Sequence, residues 1–153
     1  MYIKALILAL VLSVLCVSCW AEDIDLNKIS LIESSNNPLA YNSRTQATGL
    51  YQITPVCLAD FSKHCDWRFT TRQLEMFTME NMFDEYYSHL VAKWYINERI
   101  PQMLKAYGIE DTVDARLACF NWGIGNYRKY LNGEKKLPHE TKDYIRKYKE
   151  SNE

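Results

Sequence analysis

Between Thr71 and Arg99 apolar side chains return at helical spacing: Leu74, Phe77, Met82, Phe83, Tyr86, Leu90, Trp94 and Tyr95. A stripe this broad must be buried, and the pattern predicts one long central helix around which the rest of the chain packs. Met and aromatic residues here read as core rather than as a cofactor site. Shorter helices follow from their punctuation. Asp25 is an N-cap ahead of Leu26, Ile29 and Ile32, with Asn36 to Pro38 ending that segment. Pro101 suits the first turn of a helix that Gly108 stops. Another helix starts near Thr112, carries Val113, Leu117, Ala118 and Phe120, and breaks at "NWGIGN". The last runs from about Pro138 through Tyr148, with Tyr144, Ile145 and Tyr148 along one side. Residues 38–48 read as an irregular polar loop, and "GLYQITP" as a short extended piece stopped by Pro55. Gly49 calls for a positive φ or a close backbone approach. The fold class is therefore all-α, or mainly α with a small β excursion. At 153 residues the chain forms one domain without internal repeats.

The first residues address the chain. Met1 to Lys4 form a short basic n-region, "ALILALVLSVLCV" is an apolar run short for a membrane span, and small residues lead to Ala21. We expect residues 1–21 to be a cleavable signal peptide and residues 22–153 the mature domain, periplasmic or secreted. A lipid anchor at Cys19 is the weaker alternative, because Cys16 stands where an aliphatic residue belongs, and an uncleaved anchor is weaker still. Removing the signal leaves Cys57, Cys65 and Cys119, an odd number in an oxidising compartment. Cys57 and Cys65 flank what reads as a short polar loop, so they are the candidate disulfide, whose closure removes roughly 2.5 kcal/mol of unfolded-chain entropy. Cys119 reads as a buried thiol packed as a small hydrophobe. Cys57, His64 and Cys65 match no common zinc spacing, and no metal or cofactor is expected. A formal net charge of −1 gives no electrostatic case for nucleic acid as a partner. The basic clusters "YRKYLNGEKK" and "YIRKYKE" read as solvated helix and turn faces, with weak attraction to an anionic polymer as the alternative.

Against this pattern one residue is out of place. Glu33 falls four positions after Ile29, on or beside a buried stripe and near a helix C-terminus. Its neighbours in "IESSNNPLAYNSRTQATGLYQITP" are Ser, Asn, Tyr and Gln, and the single cation there, Arg44, lies in the following loop. Desolvation and the negative end of the helix dipole both favour the protonated carboxyl. That suits a proton donor.

Four separated segments, in order, resemble one family. "IESSNNPLAYN" is similar to the glutamate–serine motif of soluble-type lytic transglycosylases, "ATGLYQITP" to their glycine, leucine, aromatic or methionine, glutamine motif, and "ACFNWGIGN" to their alanine, tyrosine, asparagine, glycine motif. "LPHETKDYIRKY" resembles the closing glutamate–threonine and tyrosine segment. The resemblance spans nearly all of the mature chain and implies the lysozyme-like fold shared with goose-type lysozymes. It implies Glu33 as the single catalytic acid/base, Ser34 as its neighbour in the cleft, and Tyr51 and Gln52 lining the sugar sites. Phe120 and Asn121 would face the same groove, and Tyr144 would approach Glu33 from the last helix. Phe120 departs from the family's usual Tyr, and Trp122 stands where a small residue is usual, implying a narrower groove or a stacking platform.

Glycoside hydrolysis ordinarily uses two carboxyl groups. The motifs supply one. Asp60 and Asp66 follow Pro55 but read as turn and surface residues, so the sequence points to substrate assistance: the acetamido oxygen and 6-hydroxyl of an N-acetylmuramyl residue would replace the second acid, leaving a 1,6-anhydro end. Two alternatives stand beside this: a goose-type muramidase using water, and a peptidoglycan-binding or assembly module without turnover. The partner implied is the glycan strand of peptidoglycan, acted on by a monomer with no stable membrane insertion after signal cleavage. The setting could be a secretion, conjugation or phage assembly, or ordinary wall turnover.

Overall fold

The computed structural model describes residues 22–65 and 68–151. The expected signal peptide and Asp66 lie outside them. Helix α1 (Leu26–Ser34) starts on Asp25, whose side chain accepts from the Asn27 amide, and buries Leu26, Ile29 and Ser30. It ends where Ser35 and Asn36 take positive φ and return their amides to Leu31 and Ser30. The Ser30 hydroxyl donates to Asn36 Oδ1 at 2.7 Å, securing that exit.

Residues expected as an irregular loop form a small antiparallel hairpin, β1 (Tyr41–Asn42) and β2 (Ala47–Thr48), pairing Tyr41 with Thr48 and Asn42 with Ala47. Asn42 Oδ1 closes its turn by accepting from the amides of Arg44 and Thr45. "GLYQ" is a tight turn instead of an extended piece, with Thr48 and Ile53 exchanging both backbone hydrogen bonds. Gly49 meets both expectations at once. Its φ is +77°, and a Cβ there would lie 1.9 Å from the Met82 carbonyl oxygen, so backbone occupies the place of a side chain.

Pro55 opens a helix where the sequence suggested a stop. In α2 (Pro55–His64) Thr54 is the N-cap and Pro55 sits in the first turn, where its missing amide costs nothing. This overturns the Cys57–Cys65 pairing. Eight residues of helix hold the two apart by about 12 Å, well beyond the reach of a disulfide, and both are buried with no bond between them.

The long helix expected over residues 71–99 is divided. Helix α3 (Thr71–Leu74) is closed by a capping box between Thr70 and Gln73, a 3₁₀ turn covers Glu80–Phe83, and α4 (Glu85–Trp94) starts afresh on Asp84. Thr78 Oγ1 accepts from the Asn81 amide, and Asn81 Nδ2 donates to the Met76 carbonyl. Such side chains satisfy the backbone locally and so compete with a continuous helix. At the other end the opposite happens. A π turn (Tyr95–Arg99) joins α4 directly to α5 (Ile100–Ala106), and Pro101 lies just beyond this widened turn. Val91, Ala92, Ile96, Ile100 and Leu104 are fully buried along the rod. Phe61 meets Phe77 and Trp94 beside it, at ring separations of 4.7 and 5.2 Å.

Helix α6 (Val113–Trp122) is capped by Thr112 and buries every residue from Ala115 to Cys119. Gly123 ends it and α7 (Ile124–Leu131) follows. The last helix, α8 (His139–Glu150), buries Thr141, Tyr144 and Tyr148. Tyr148 Oη accepts from the Asp25 amide at 2.8 Å, and Thr141 Oγ1 donates to Asn121 Oδ1 at 2.8 Å. These bonds lay α8 across α1 and α6. No helix among the described residues is long and apolar enough to cross a membrane.

Candidate active site

Glu33 occupies the last turn of α1 at the junction of two concave lobes. The larger, about 470 Å³, lies between the hairpin and α6; Asn42, Thr45, Gln52, Tyr95, Phe120 and Asn121 are among its walls. The smaller, about 290 Å³, lies against α8 and is walled by Ile32, His139, Glu140, Asp143, Tyr144 and Lys147, with Asn121 again at the boundary. Both volumes are in the range of small-molecule sites or just below it.

No cation pairs with Glu33 among the described residues. Burial drives its pKa from 4.5 to about 7, and the negative charge of Glu140 pushes the same way. The Tyr144 hydroxyl opposes the shift, lying close enough to stabilise the anion. That hydroxyl is itself buried and faces Glu33, so its own proton is held firmly, first by burial and then by the facing carboxylate.

The other expected residues divide between cleft and scaffold. Gln52, at a φ of +48°, lines the larger lobe. Its Nε2 donates to the carbonyls of Ala40 and Gly49, so the amide oxygen is left for a ligand. Phe120 and Asn121 line the same lobe, and Asn121 is oriented by Thr141. Phe120 packs beside Tyr95 with ring centroids 6.3 Å apart. Ser34 is scaffold. Its hydroxyl donates to the carbonyls of Ser30 and Leu50 and accepts from the Asn37 amide, fixing the turn after β2 against α1. Tyr51 does not line either lobe. It is 4% exposed, in the core, with its hydroxyl 3.1 Å from His89 Nδ1 on α4. Strand-like alternation would have pointed Tyr51 and Gln52 to opposite faces; the turn does so too, and only Gln52 reaches the cleft. Trp122 also stays outside the lobes, beneath the Lys135 ammonium.

Asp60 is removed as a second acid because Arg99 clamps it at 2.8 and 3.1 Å and His64 flanks it at 3.4 Å. The carboxylate that does face the cleft is Glu140, in the first turn of α8. It belongs to the closing "HET" segment, so the signal was present. Only the docking of α8 turns it toward Glu33. Cys57 and Cys119 sit beneath the larger lobe as buried thiols whose pKa values burial raises.

A family model for the transglycosylase SLT domain matches residues 25–142. The chain belongs to that family. The match includes Glu33, Gln52, Phe120, Asn121 and Glu140, and it ends two residues before Tyr144. Its helical fold with one two-stranded hairpin is that expected of an SLT domain, a family typically of lytic transglycosylases acting on peptidoglycan. No curated protein and no solved structure matches the chain.

Proposed function

We propose that this SLT domain cleaves the β-1,4 bond between N-acetylmuramyl and N-acetylglucosaminyl residues and leaves a 1,6-anhydro end, with Glu33 as the sole proton carrier. The observation behind this reading is a buried carboxyl at the junction of two lobes, with no cationic partner and a pKa near 7. A group of that pKa is protonated in a large fraction of molecules at neutral pH, as a general acid requires.

Glu33 donates its proton to the departing glycosidic oxygen as the C1–O bond breaks. The acetamido oxygen of the same muramyl residue bonds to C1 and holds the developing charge. The 6-hydroxyl oxygen then attacks C1, displaces the acetamido oxygen, and gives its proton to the Glu33 carboxylate. Glu33 ends as it began, and no water is consumed. Tyr144 stabilises the transient anion without taking its charge, because its own proton is held by burial. The Gln52 and Asn121 amides meet hydroxyl and N-acetyl groups, and Phe120 and Tyr95 offer ring faces to the sugars.

Glu140 favours a second reading, since a carboxylate facing the same cleft could orient a water and make the reaction a hydrolysis. Mass spectrometry of muropeptides released by the purified protein separates the two: the anhydro product lacks one water relative to the hydrolytic one. Release by wild type and none by Glu33→Gln is the expected result. Equal wall binding with no release by either protein would favour a binding module. The signal-peptide reading of residues 1–21 places the reaction in the periplasm or outside the cell, and cell fractionation tests it.

A further inference from the structure

Two side-chain amides wall the larger lobe, and the scaffold holds them by opposite ends. Gln52 commits Nε2 to the carbonyls of Ala40 and Gly49, at 3.3 and 3.1 Å, which leaves Oε1 for the cleft. Asn121 commits Oδ1, which accepts from Thr141 Oγ1 at 2.8 Å, and its Nδ2 makes no hydrogen bond among the described residues. Resting on the transglycosylase reading above, we infer that Thr141 is a positioning residue: its hydroxyl locks the Asn121 amide with the N–H groups toward the cleft, so that the lobe selects a substrate group able to accept there.

Burial is what makes the lock hold. Thr141 is 1% exposed in the first turn of α8 and lines neither lobe, so it acts on the cleft only through Asn121. The two ends of an amide have nearly the same shape, and an unheld Asn121 would offer the cleft either one. Turning it over would set Nδ2 against Oγ1 and take from the Thr141 proton the acceptor it has. Stranding a buried donor costs more than an ordinary hydrogen bond contributes, so one orientation wins. The cleft therefore has a fixed polarity, an acceptor at Gln52 and donors at Asn121. An acetamido substituent carries both complements, an N–H for the first and a carbonyl oxygen for the second. A sugar hydroxyl answers either one and is not told apart by an amide free to turn. Sites that fix their polar groups in this way reject analogues lacking the matching partner, because those groups are then left unpaired.

Titration calorimetry on Glu33→Gln tests this independently of turnover, with chitotriose, the trimer of N-acetylglucosamine, against cellotriose, which has hydroxyls in place of the acetamido groups. Adding Thr141→Val keeps the shape and removes the hydroxyl; it should weaken chitotriose binding about threefold to tenfold, the scale of one hydrogen bond, and shrink the preference over cellotriose by a similar factor. Thr141→Ser keeps the hydroxyl and loses the methyl, and should retain that preference. Asn121→Ala should also lower it, and Thr141→Val added to Asn121→Ala should lower it no further, because the lock then holds nothing. Equal weakening of both trimers by Thr141→Val, a loss with Thr141→Ser as large as with Thr141→Val, or full additivity with Asn121→Ala would make Thr141 a packing residue and overturn the assignment. If Thr141→Val does not fold, the other two variants decide: the preference must fall in Asn121→Ala and survive in Thr141→Ser. If the preference follows Thr141 while wild type cuts no wall, the catalytic reading fails and the assignment stands. If wild type releases anhydro products while Thr141→Val leaves the preference unchanged, the reverse is true.

Discussion

Two buried ionisable groups in this molecule are treated in opposite ways. Arg116, 3% exposed in the middle of α6, is held by both oxygens of Asp111 at 2.6 and 2.7 Å and reaches the Glu22 carbonyl besides. Glu33 is largely buried with no cation at all among the described residues. The first is a charge kept charged: its partner offsets the desolvation and ties the start of the described chain to α6. The second stays protonated up to about pH 7, because burial without a cationic partner disfavours the charge instead of compensating it. Burial alone thus says nothing about role. What faces the buried group decides it.

The contrast between the two groups breaks most visibly at catalysis. Glu33→Gln keeps the shape and removes the proton, and we expect anhydro-product release to fall by about 10³-fold or more. Residual turnover within tenfold of wild type, measured by mass spectrometry, would make Glu33 a bystander. At the other buried charge the loss should be in folding: Asp111→Ala removes the carboxylate that holds Arg116 and should cost about 3 kcal/mol in urea unfolding. A much smaller cost would mean that the Glu22 carbonyl and neighbouring groups suffice.

Glu33→Gln should also do the reverse of Asp111→Ala, and stabilise the fold. With a folded pKa of about 7 against 4.5 unfolded, native Glu33 binds more protons than the unfolded chain across that window, so wild-type stability declines as pH rises from 4.5 to 7 and stays lower above it. Gln never ionises. The variant should match wild type near pH 4 and exceed it by up to about 3 kcal/mol at pH 8, read as melting temperature against pH. No gain at pH 8 would show that Glu33 is already paired.

Smaller shifts sharpen the picture of what tunes Glu33. Activity should decline as pH rises through about 7, when the acid is lost. Glu140→Gln removes a charge that raises the pKa, so this limb should move to lower pH; Tyr144→Phe removes a group that lowers it, so the limb should move to higher pH. Both displacements should be a fraction of a pH unit, and a pH–kcat profile that neither change moves would show that burial acts alone.

Local chemistry made much of this legible in advance. A carboxyl on an apolar helix stripe with no basic neighbour marked Glu33, Asp25 and Thr112 marked helix starts, Gly108 marked a helix end, and Gly49 marked a positive φ or a close backbone approach. Errors came where side-chain caps outvoted periodicity. Asp84 restarted a helix within the apolar stripe, and Thr54 with Pro55 turned an apparent strand stop into a helix start, which drew Cys57 and Cys65 apart.

By itself the sequence determined the helical class, the four motifs and Glu33 as the candidate acid, because each depends on residues close together along the chain. Only the tertiary structure decided which members of those motifs meet. It set Ser34 to fixing a turn, sent Tyr51 into the core, and brought Glu140 and Tyr144 across to Glu33. The reason is geometric: the orientation of α8 against α1 and α6 is set by packing and by hydrogen bonds such as Tyr148 to Asp25, spanning 123 positions of the chain, and no local pattern encodes such a contact.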